Sequence, residues 1–124
     1  MANTRHNPST VPFTGKYSLA VEVPAGARTL YVSGQVCQEP AGKPIDVQCH
    51  QAFKNIGAIL QGAGMDYADI VKITVYLTDP RFIPVYREVK DAYIKEPYPA
   101  STLLVIDTLA APEFLVEVEV VAAK

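Results

Sequence analysis

Alternating apolar and polar positions predict β-strands near both ends of the chain. Residues 17–23 alternate with a period of two, and residues 28–36 form a second β-rich run after a Pro-Ala-Gly-Ala turn. We expect these two runs to pair as a hairpin. Residues 70–77 are rich in β-branched side chains, which favours a central position in a sheet. Two final strands are predicted at residues 101–106 and 114–121.

Two other segments follow the 3.6-residue period of an amphipathic helix. In the first, Asp46 is a suitable N-cap, and Gly62 and Gly64 are suitable stop signals. Its apolar stripe consists of Cys49, Phe53, Ile56 and Leu60. In the second, Asp79 is the predicted N-cap and apolar side chains recur over residues 82–93. Each helix joins two strands and is long enough to cross over the sheet, so part of the sheet should be parallel.

The predicted order of elements, β-β-α-β-α-β-β, indicates an α+β fold in which a mixed sheet carries both helices on one face. The opposite face then has no cover from the chain itself. A small domain that leaves a sheet face bare is expected to self-associate through it. Residues 1–16 are interpreted as a polar N-terminal arm and residues 17–124 as a single domain of ordinary size.

Composition and charge narrow the class of protein. Of the 124 residues, 49% are hydrophobic and 19% are charged, as in ordinary globular domains. Eleven Lys and Arg against thirteen Asp and Glu give a net charge of −2 without a basic stripe, which disfavours nucleic acid as a ligand. The first ten residues contain no apolar run, and no stretch approaches the roughly 18 apolar residues of a membrane span. Neither a signal peptide nor a membrane anchor is therefore expected.

The cysteines and histidines offer little metal-binding or catalytic chemistry. Cys37 and Cys49 are too few for a disulfide framework, so we expect a reduced, cytoplasmic protein. Cys49 lies on the helical stripe, whereas Cys37 at a strand end is a candidate for partial exposure and thiol reactivity. His6 lies in the arm. The side chain of His50 is turned about 100° around the helix from that of the adjacent Cys49, so the two cannot easily share a metal ion. With no phosphate-binding glycine loop and no Cys-x-x-Cys pair, neither a metal nor a cofactor is expected.

The last predicted strand carries the strongest candidate for acid–base chemistry. Glu117 and Glu119 alternate there with valines, and a carboxylate on a central strand is costly to bury unless it is paired. At the edge of an oligomer cleft, desolvation would raise the pKa of Glu117 and suit it to proton transfer. The alternative is that both glutamates face solvent.

Weaker candidates lie in three other segments. Tyr17 follows closely after a glycine and either packs or contacts a ligand. Gly34 inside a strand indicates a bulge or the close approach of a ligand to the backbone. Residues 98–102 supply hydroxyl groups, among them Ser101 and Thr102, for ligand contact or, alternatively, for strand pairing.

An ordered set of short motifs runs along the chain from about residue 14. The set consists of Thr14-Gly15-Lys16-Tyr17-Ser18, LYVSGQV at residues 30–36, QAFKNI at residues 51–56, DIVKITVYLTD at residues 69–79, Pro99-Ala100 and Val116-Glu117-Val118-Glu119. It resembles the Rid family, the reactive intermediate deaminases that are also called YjgF-like or L-PSP proteins. The resemblance implies a chorismate-mutase-like fold and a homotrimer, in which three sheets form a central β-barrel and three clefts lie between subunits.

The resemblance also implies a chemistry and a set of site residues. Catalytic members of the family hydrolyse small imines or enamines to a keto acid and ammonia. Position by position, Glu117 matches the glutamate that positions or activates water. Tyr17, Ser33 and Gly34 match positions that shape the pocket, and Thr102 matches a position that is often Ser or Thr.

Ser101 departs from the family pattern Pro-Ala-Arg-Ser/Thr, in which the arginine grips the substrate carboxylate. A neutral hydroxyl cannot replace that bidentate guanidinium. Tyr86 is a further departure, at a position that is often Asn, and it is a candidate substrate-binding residue. Two interpretations remain. In the first, the protein is a divergent hydrolase or deaminase whose substrate either lacks that carboxylate or is held by another cation, for which Arg87 is the candidate. In the second, it is a non-catalytic trimer that binds a small metabolite or serves a partner enzyme. Endoribonuclease activity, attributed to some relatives, ranks third because of the acidic charge balance.

Overall fold

A four-stranded mixed sheet with two helices on one face forms the main body of the protein in the computed structural model, which describes residues 2–124. The elements of this body are β3 (Thr29–Gln35), α1 (Ile45–Gly62), β4 (Ile70–Leu77), α2 (Ile83–Lys90), β5 (Ala100–Val105) and β6 (Val116–Ala123). A separate two-stranded sheet consists of β1 (Thr4–His6) and β2 (Ala20–Glu22). Short 3-10 turns at Tyr67–Asp69 and Pro80–Phe82 precede β4 and α2.

The strand order in the main sheet is β3-β6-β4-β5. β4 and β5 run parallel and are joined through α2, which confirms one predicted crossover. β3 and β4 are each antiparallel to β6, so they run parallel to each other on either side of it, and α1 joins them. The predicted α+β fold with a mixed sheet is thereby confirmed.

The predicted hairpin between the first two β-rich runs is wrong. β2 pairs with β1, which lies in the segment interpreted as a polar arm, whereas β3 takes the C-terminal strand β6 as its partner. Residues 17–19 are drawn instead to the start of β5, where the Ser18 amide donates to the Pro99 carbonyl at 2.9 Å. Alternation shows which face of a strand is apolar, but it does not select the partner strand.

Local chemistry sets the ends of the helical segments. Pro44, not Asp46, occupies the N-cap of α1; Asp46 lies in the first turn, where its negative charge suits the helix dipole. After the helix ends, Gly64 adopts a φ of 73°, a left-handed conformation that glycine tolerates. Asp79 caps its 3-10 turn as predicted, because its carboxylate accepts the Arg81 amide at 2.8 Å.

The core lies between the helices and one face of the sheet. The predicted stripe of α1 and the alternate residues of β6 are at most 2% exposed, and these residues are Cys49, Phe53, Ile56, Leu60, Val116, Val118, Val120 and Ala122. Cys37 is also buried, so the expectation of partial exposure is wrong. Asn55 of α1 donates to the Val36 carbonyl at 3.1 Å and holds the end of β3 against the helix.

The opposite face of the sheet carries no helix, as predicted. Tyr31 on this face is 80% exposed, and Leu104 is 44% exposed. Their partners in the strand register are Val121 and Tyr76, which lie on the same face. Within residues 2–124, neither helix is long and apolar enough to cross a membrane.

Candidate functional site

A cavity of about 490 Å³ opens at the β5 edge of the sheet, between helix α2 and the segment that precedes β2. Tyr17 comes from that segment, Arg87 and Lys90 come from α2, and Ser101 comes from β5. The parallel register places Ser101 opposite the buried Ile73, so its side chain is on the helix side of the sheet. The fold therefore brings three of the candidate residues, Tyr17, Arg87 and Ser101, to one cavity.

Three basic side chains and one carboxylate set the charge of this cavity. Lys16 Nζ pairs with Asp91 Oδ2 at 2.8 Å, and this hydrogen bond raises the pKa of Lys16. Lys90 is 8% exposed and donates from Nζ to the Lys16 carbonyl at 3.1 Å; burial lowers its pKa. Arg87 is exposed, and its guanidinium has no hydrogen-bond or ion-pair partner among residues 2–124. This arrangement suits a small anion.

Sequence reasoning misses Lys90 and Asp91 as cavity residues. The signal lies in the helical period, since Lys90 is three residues and Asp91 four residues after Arg87, and such neighbours share one face of a helix. A search for charged residues on the face of α2 that carries Arg87 would have found both.

On the uncovered face of the sheet, the carboxyl group of Glu117 packs against the backbone of Gly34. The pairing of β3 with β6 shifts between Val32 and Gln35, so Gly34 lies in a bulge, as its position in a strand predicts. A β-carbon at residue 34 would lie 2.6 Å from Cδ of Glu117, closer than real side chains approach one another. Within the part of the chain that the structure describes, the Glu117 carboxyl has no hydrogen-bond partner.

The neighbouring polar side chains on this face are paired with one another. Tyr76 donates its hydroxyl to Glu119 Oε1 at 2.8 Å, and this hydrogen bond raises the pKa of Tyr76. Lys72 donates from Nζ to Thr102 Oγ1 at 2.6 Å. Ser33 is exposed and lines a shallow groove of about 300 Å³ together with Lys72 and Glu119. Glu119 and Thr102 are therefore held by protein partners.

The candidate residues thus form two groups on opposite sides of the sheet. The cavity group consists of Tyr17, Arg87 and Ser101, and the group on the uncovered side consists of Ser33, Gly34, Thr102 and Glu117. One chain does not bring the two groups together. A site that uses both requires the cavity of one subunit and the sheet face of another.

Tyr86 belongs to neither group. It is 2% exposed and stacks on Phe53 with the ring centroids 6.0 Å apart. It lies four residues after Phe82 and three before Val89, on the apolar stripe of the second helical segment, and this spacing turns it into the core. Its hydroxyl is buried without a partner among the described residues, and burial raises its pKa.

The fold and the cavity define a small α+β protein with one mixed sheet and a cavity of about 490 Å³ at its β5 edge. The family model described as Endoribonuclease L-PSP matches residues 8–124, which is nearly the whole chain. The protein therefore belongs to this family, the YjgF/L-PSP or Rid family, and the membership predicted from the sequence motifs is confirmed.

Individual relatives agree with this membership. The human 2-iminobutanoate/2-iminopropanoate deaminase is 34% identical over 113 residues, which cover 87% of this chain and 80% of that protein. A RutC family protein from Aquifex aeolicus is 36% identical over 89% of this chain and 90% of its own length. A Rid-family protein of unknown function from Yersinia pestis matches with a TM-score of 0.83 at 28% identity, covering 100% of both chains. RidA from an Antarctic Psychrobacter matches with a TM-score of 0.72 at 35% identity, covering 91% of this chain and 92% of its own.

Proposed function

We propose that the protein is a divergent Rid deaminase that hydrolyses small imines or enamines to a carbonyl compound and ammonia. Relatives named 2-iminobutanoate/2-iminopropanoate deaminase support this reaction class. The observation that carries the proposal is the Glu117 carboxyl, which packs on the Gly34 bulge and has no hydrogen-bond partner among residues 2–124.

The reaction needs a base for water and a proton for the departing nitrogen. Glu117 accepts a proton from water while the water oxygen bonds to the imine carbon and the C=N electron pair moves to nitrogen. The protonated carboxyl then returns its proton to that nitrogen. In the second step the hydroxyl proton moves to nitrogen, the carbonyl forms, the C–N bond breaks and ammonia leaves. The missing side chain at Gly34 leaves the backbone accessible to a ligand beside the carboxyl.

The proposal includes a cleft between subunits, because the cavity and Glu117 lie on opposite sides of one sheet. The cavity of one subunit faces the uncovered sheet of the next in a homotrimer with a central β-barrel, and Tyr17, Ser33 and Thr102 line the cleft. Exposed apolar area supports this assembly: Tyr31 and Leu104 lie on the uncovered face, and burying such area stabilises by about 25 cal/mol per Å².

Carboxylate binding in this cleft must differ from the family pattern. Ser101 lines the cavity but carries no charge. Arg87 lines the same cavity from α2, and its guanidinium is unpaired among the described residues. In the proposal Arg87 binds the substrate carboxylate that an arginine at position 101 would otherwise take.

Ammonia release tests the deaminase proposal. Amino-acid oxidases generate imines in the assay, and ammonia formation is followed with and without the protein. The wild-type protein should accelerate it, and Glu117→Gln should lose about 100-fold, the contribution typical of a general base. Glu119→Gln is the matched control and should stay active, because Glu119 is held by Tyr76. No acceleration over buffer on any imine or enamine would contradict the proposal.

The alternative is a non-catalytic trimer that binds a metabolite in the same clefts or regulates a partner enzyme. Ser101 favours it, since the charge that grips a carboxylate is missing at that position. Ligand binding without ammonia release would support this alternative.

The family description also names endoribonucleases, and RNA cleavage lost in Glu117→Gln would support that activity. A reducing, cytoplasmic location completes the proposal and fits the two buried free thiols.

A further inference from the structure

Lys90 is a buried cation whose N–H donors are only partly satisfied by hydrogen bonds. It is 8% exposed, and no other Lys, Arg, Asp or Glu among residues 2–124 is buried to this degree. An ammonium group has three N–H donors, and the structure gives Lys90 a single partner, the Lys16 carbonyl at 3.1 Å. A buried charge whose donors are unsatisfied costs free energy, and a ligand that satisfies them recovers it.

The other cations of the cavity are less suited to hold an anion firmly. Lys16 is 58% exposed at its side chain and is already paired with Asp91 at 2.8 Å. Arg87 is exposed, so water and salt compete for its guanidinium. Lys90 is shielded from solvent and lines the same cavity as Ser101. An ion pair with a ligand is stronger in such a shielded place than at the surface.

We propose that Lys90 is the main anion-binding residue of the cavity, and that its ligands are small carboxylates of the 2-imino and 2-oxo acid type. Lys90 binds the carboxylate from inside the cavity, Arg87 binds it from the exposed side, and the Ser101 hydroxyl is available as a third donor. The positive charge absent from β5 is thus supplied by α2. The choice of 2-imino and 2-oxo acids rests on the deaminase proposal, whereas the anion site itself does not.

Direct binding tests this inference without any turnover. Isothermal titration calorimetry compares 2-oxobutanoate with its uncharged methyl ester on the intact oligomer. Wild type should bind the acid and not the ester. Lys90→Met should bind the acid about 10- to 100-fold more weakly, the effect of losing a hydrogen bond to a charged group. Lys54→Met is the matched control, because Lys54 is exposed on α1 and does not line this cavity, and it should bind the acid within about threefold of wild type.

The outcomes separate this inference from the deaminase proposal. Lys90→Gln repeats the charge removal with a polar side chain, and thermal denaturation of both variants reports whether they are folded. Undiminished acid binding by folded Lys90→Met or Lys90→Gln would overturn the anion site, as would equal binding of acid and ester or no binding of the acid. Acid binding that depends on Lys90 without ammonia release would keep the anion site and reject the deaminase.

Discussion

The Glu117 carboxyl lies against the Gly34 backbone, in space that a side chain at residue 34 would fill. This contact couples the bulge in β3 to the carboxyl group on β6. A bulge bends its strand and re-aims the neighbouring side chains. The position of the proposed base therefore depends on the absence of a β-carbon at residue 34.

Gly34→Ala should disable the reaction by displacing Glu117. The added β-carbon would lie 2.6 Å from Cδ of Glu117, so the carboxyl must move. A misplacement of about 1 Å at a reacting group can cost about 100-fold in rate. Gly62→Ala is the matched control, because nothing lies within 4 Å of a β-carbon there. Equal ammonia release by the two variants would show that the carboxyl position does not matter.

Ser101→Arg should strengthen the binding of carboxylate substrates. It places a guanidinium in the cavity at the position where the family pattern has one. A charge-assisted hydrogen bond contributes about 1.5–3 kcal/mol, so kcat/KM for a 2-imino acid should rise about tenfold or more, chiefly through KM. Ser101→Gln adds length without charge and should show no such rise. Equal kinetics for the two variants would contradict a cavity that binds the substrate carboxylate beside residue 101.

Tyr86→Phe should stabilise the fold without affecting ligand binding. The Tyr86 hydroxyl is buried without a partner among residues 2–124, and removing it spares a desolvation cost of about 1 kcal/mol. Tyr93→Phe is the contrasting variant, because the Tyr93 hydroxyl lies 2.7 Å from His50 Nδ1 and its loss should destabilise. Chemical denaturation measures both effects. A marked loss of ligand binding in Tyr86→Phe would return Tyr86 to the site.

Cys49 should make stability depend on alkaline pH. Burial raises the pKa of its thiol from 9.0 to about 12. A raised pKa means that the stabilisation is complete below pH 9.0 and is lost as pH rises towards about 12, because the unfolded chain releases the proton first. Wild type should therefore lose about 1 kcal/mol more than Cys49→Ala over the first pH unit above 9. Parallel denaturation midpoints of the two proteins across that range would contradict this.

Local patterns predict the elements of the main sheet and its helices well. The β-branched run at residues 70–77 forms β4, and the apolar stripe of α1 consists of Cys49, Phe53, Ile56 and Leu60 as predicted. Both segments are buried against one partner surface, and such burial leaves a periodic pattern in the sequence. Gly34 predicted its bulge because few other residues would leave room there. Asp79 predicted its cap because the cap is made within two residues.

Features set by distant contacts could not be predicted in the same way. The position of β2 depends on its pairing with β1 and on the backbone hydrogen bond from Ser18 to Pro99. The alternation of apolar and polar residues reveals neither contact. The family pattern predicts Tyr86 in the site, whereas its position on the apolar face of α2 places it in the core. The local pattern does not mark Lys90 as buried, and its hydrogen bond to the Lys16 carbonyl is made with a segment 74 residues earlier in the chain.

Ammonia release by mixed oligomers is the most direct test of an active site shared between subunits. Glu117→Gln chains keep the cavity, and Arg87→Ala/Lys90→Met chains keep the glutamate. Neither variant should be active alone. When equal amounts are co-expressed, about one quarter of the clefts pair an intact cavity with an intact Glu117, so activity should reach about one quarter of wild type. Activity of the mixture no higher than the mean of the two separate variants would contradict a site built from two chains.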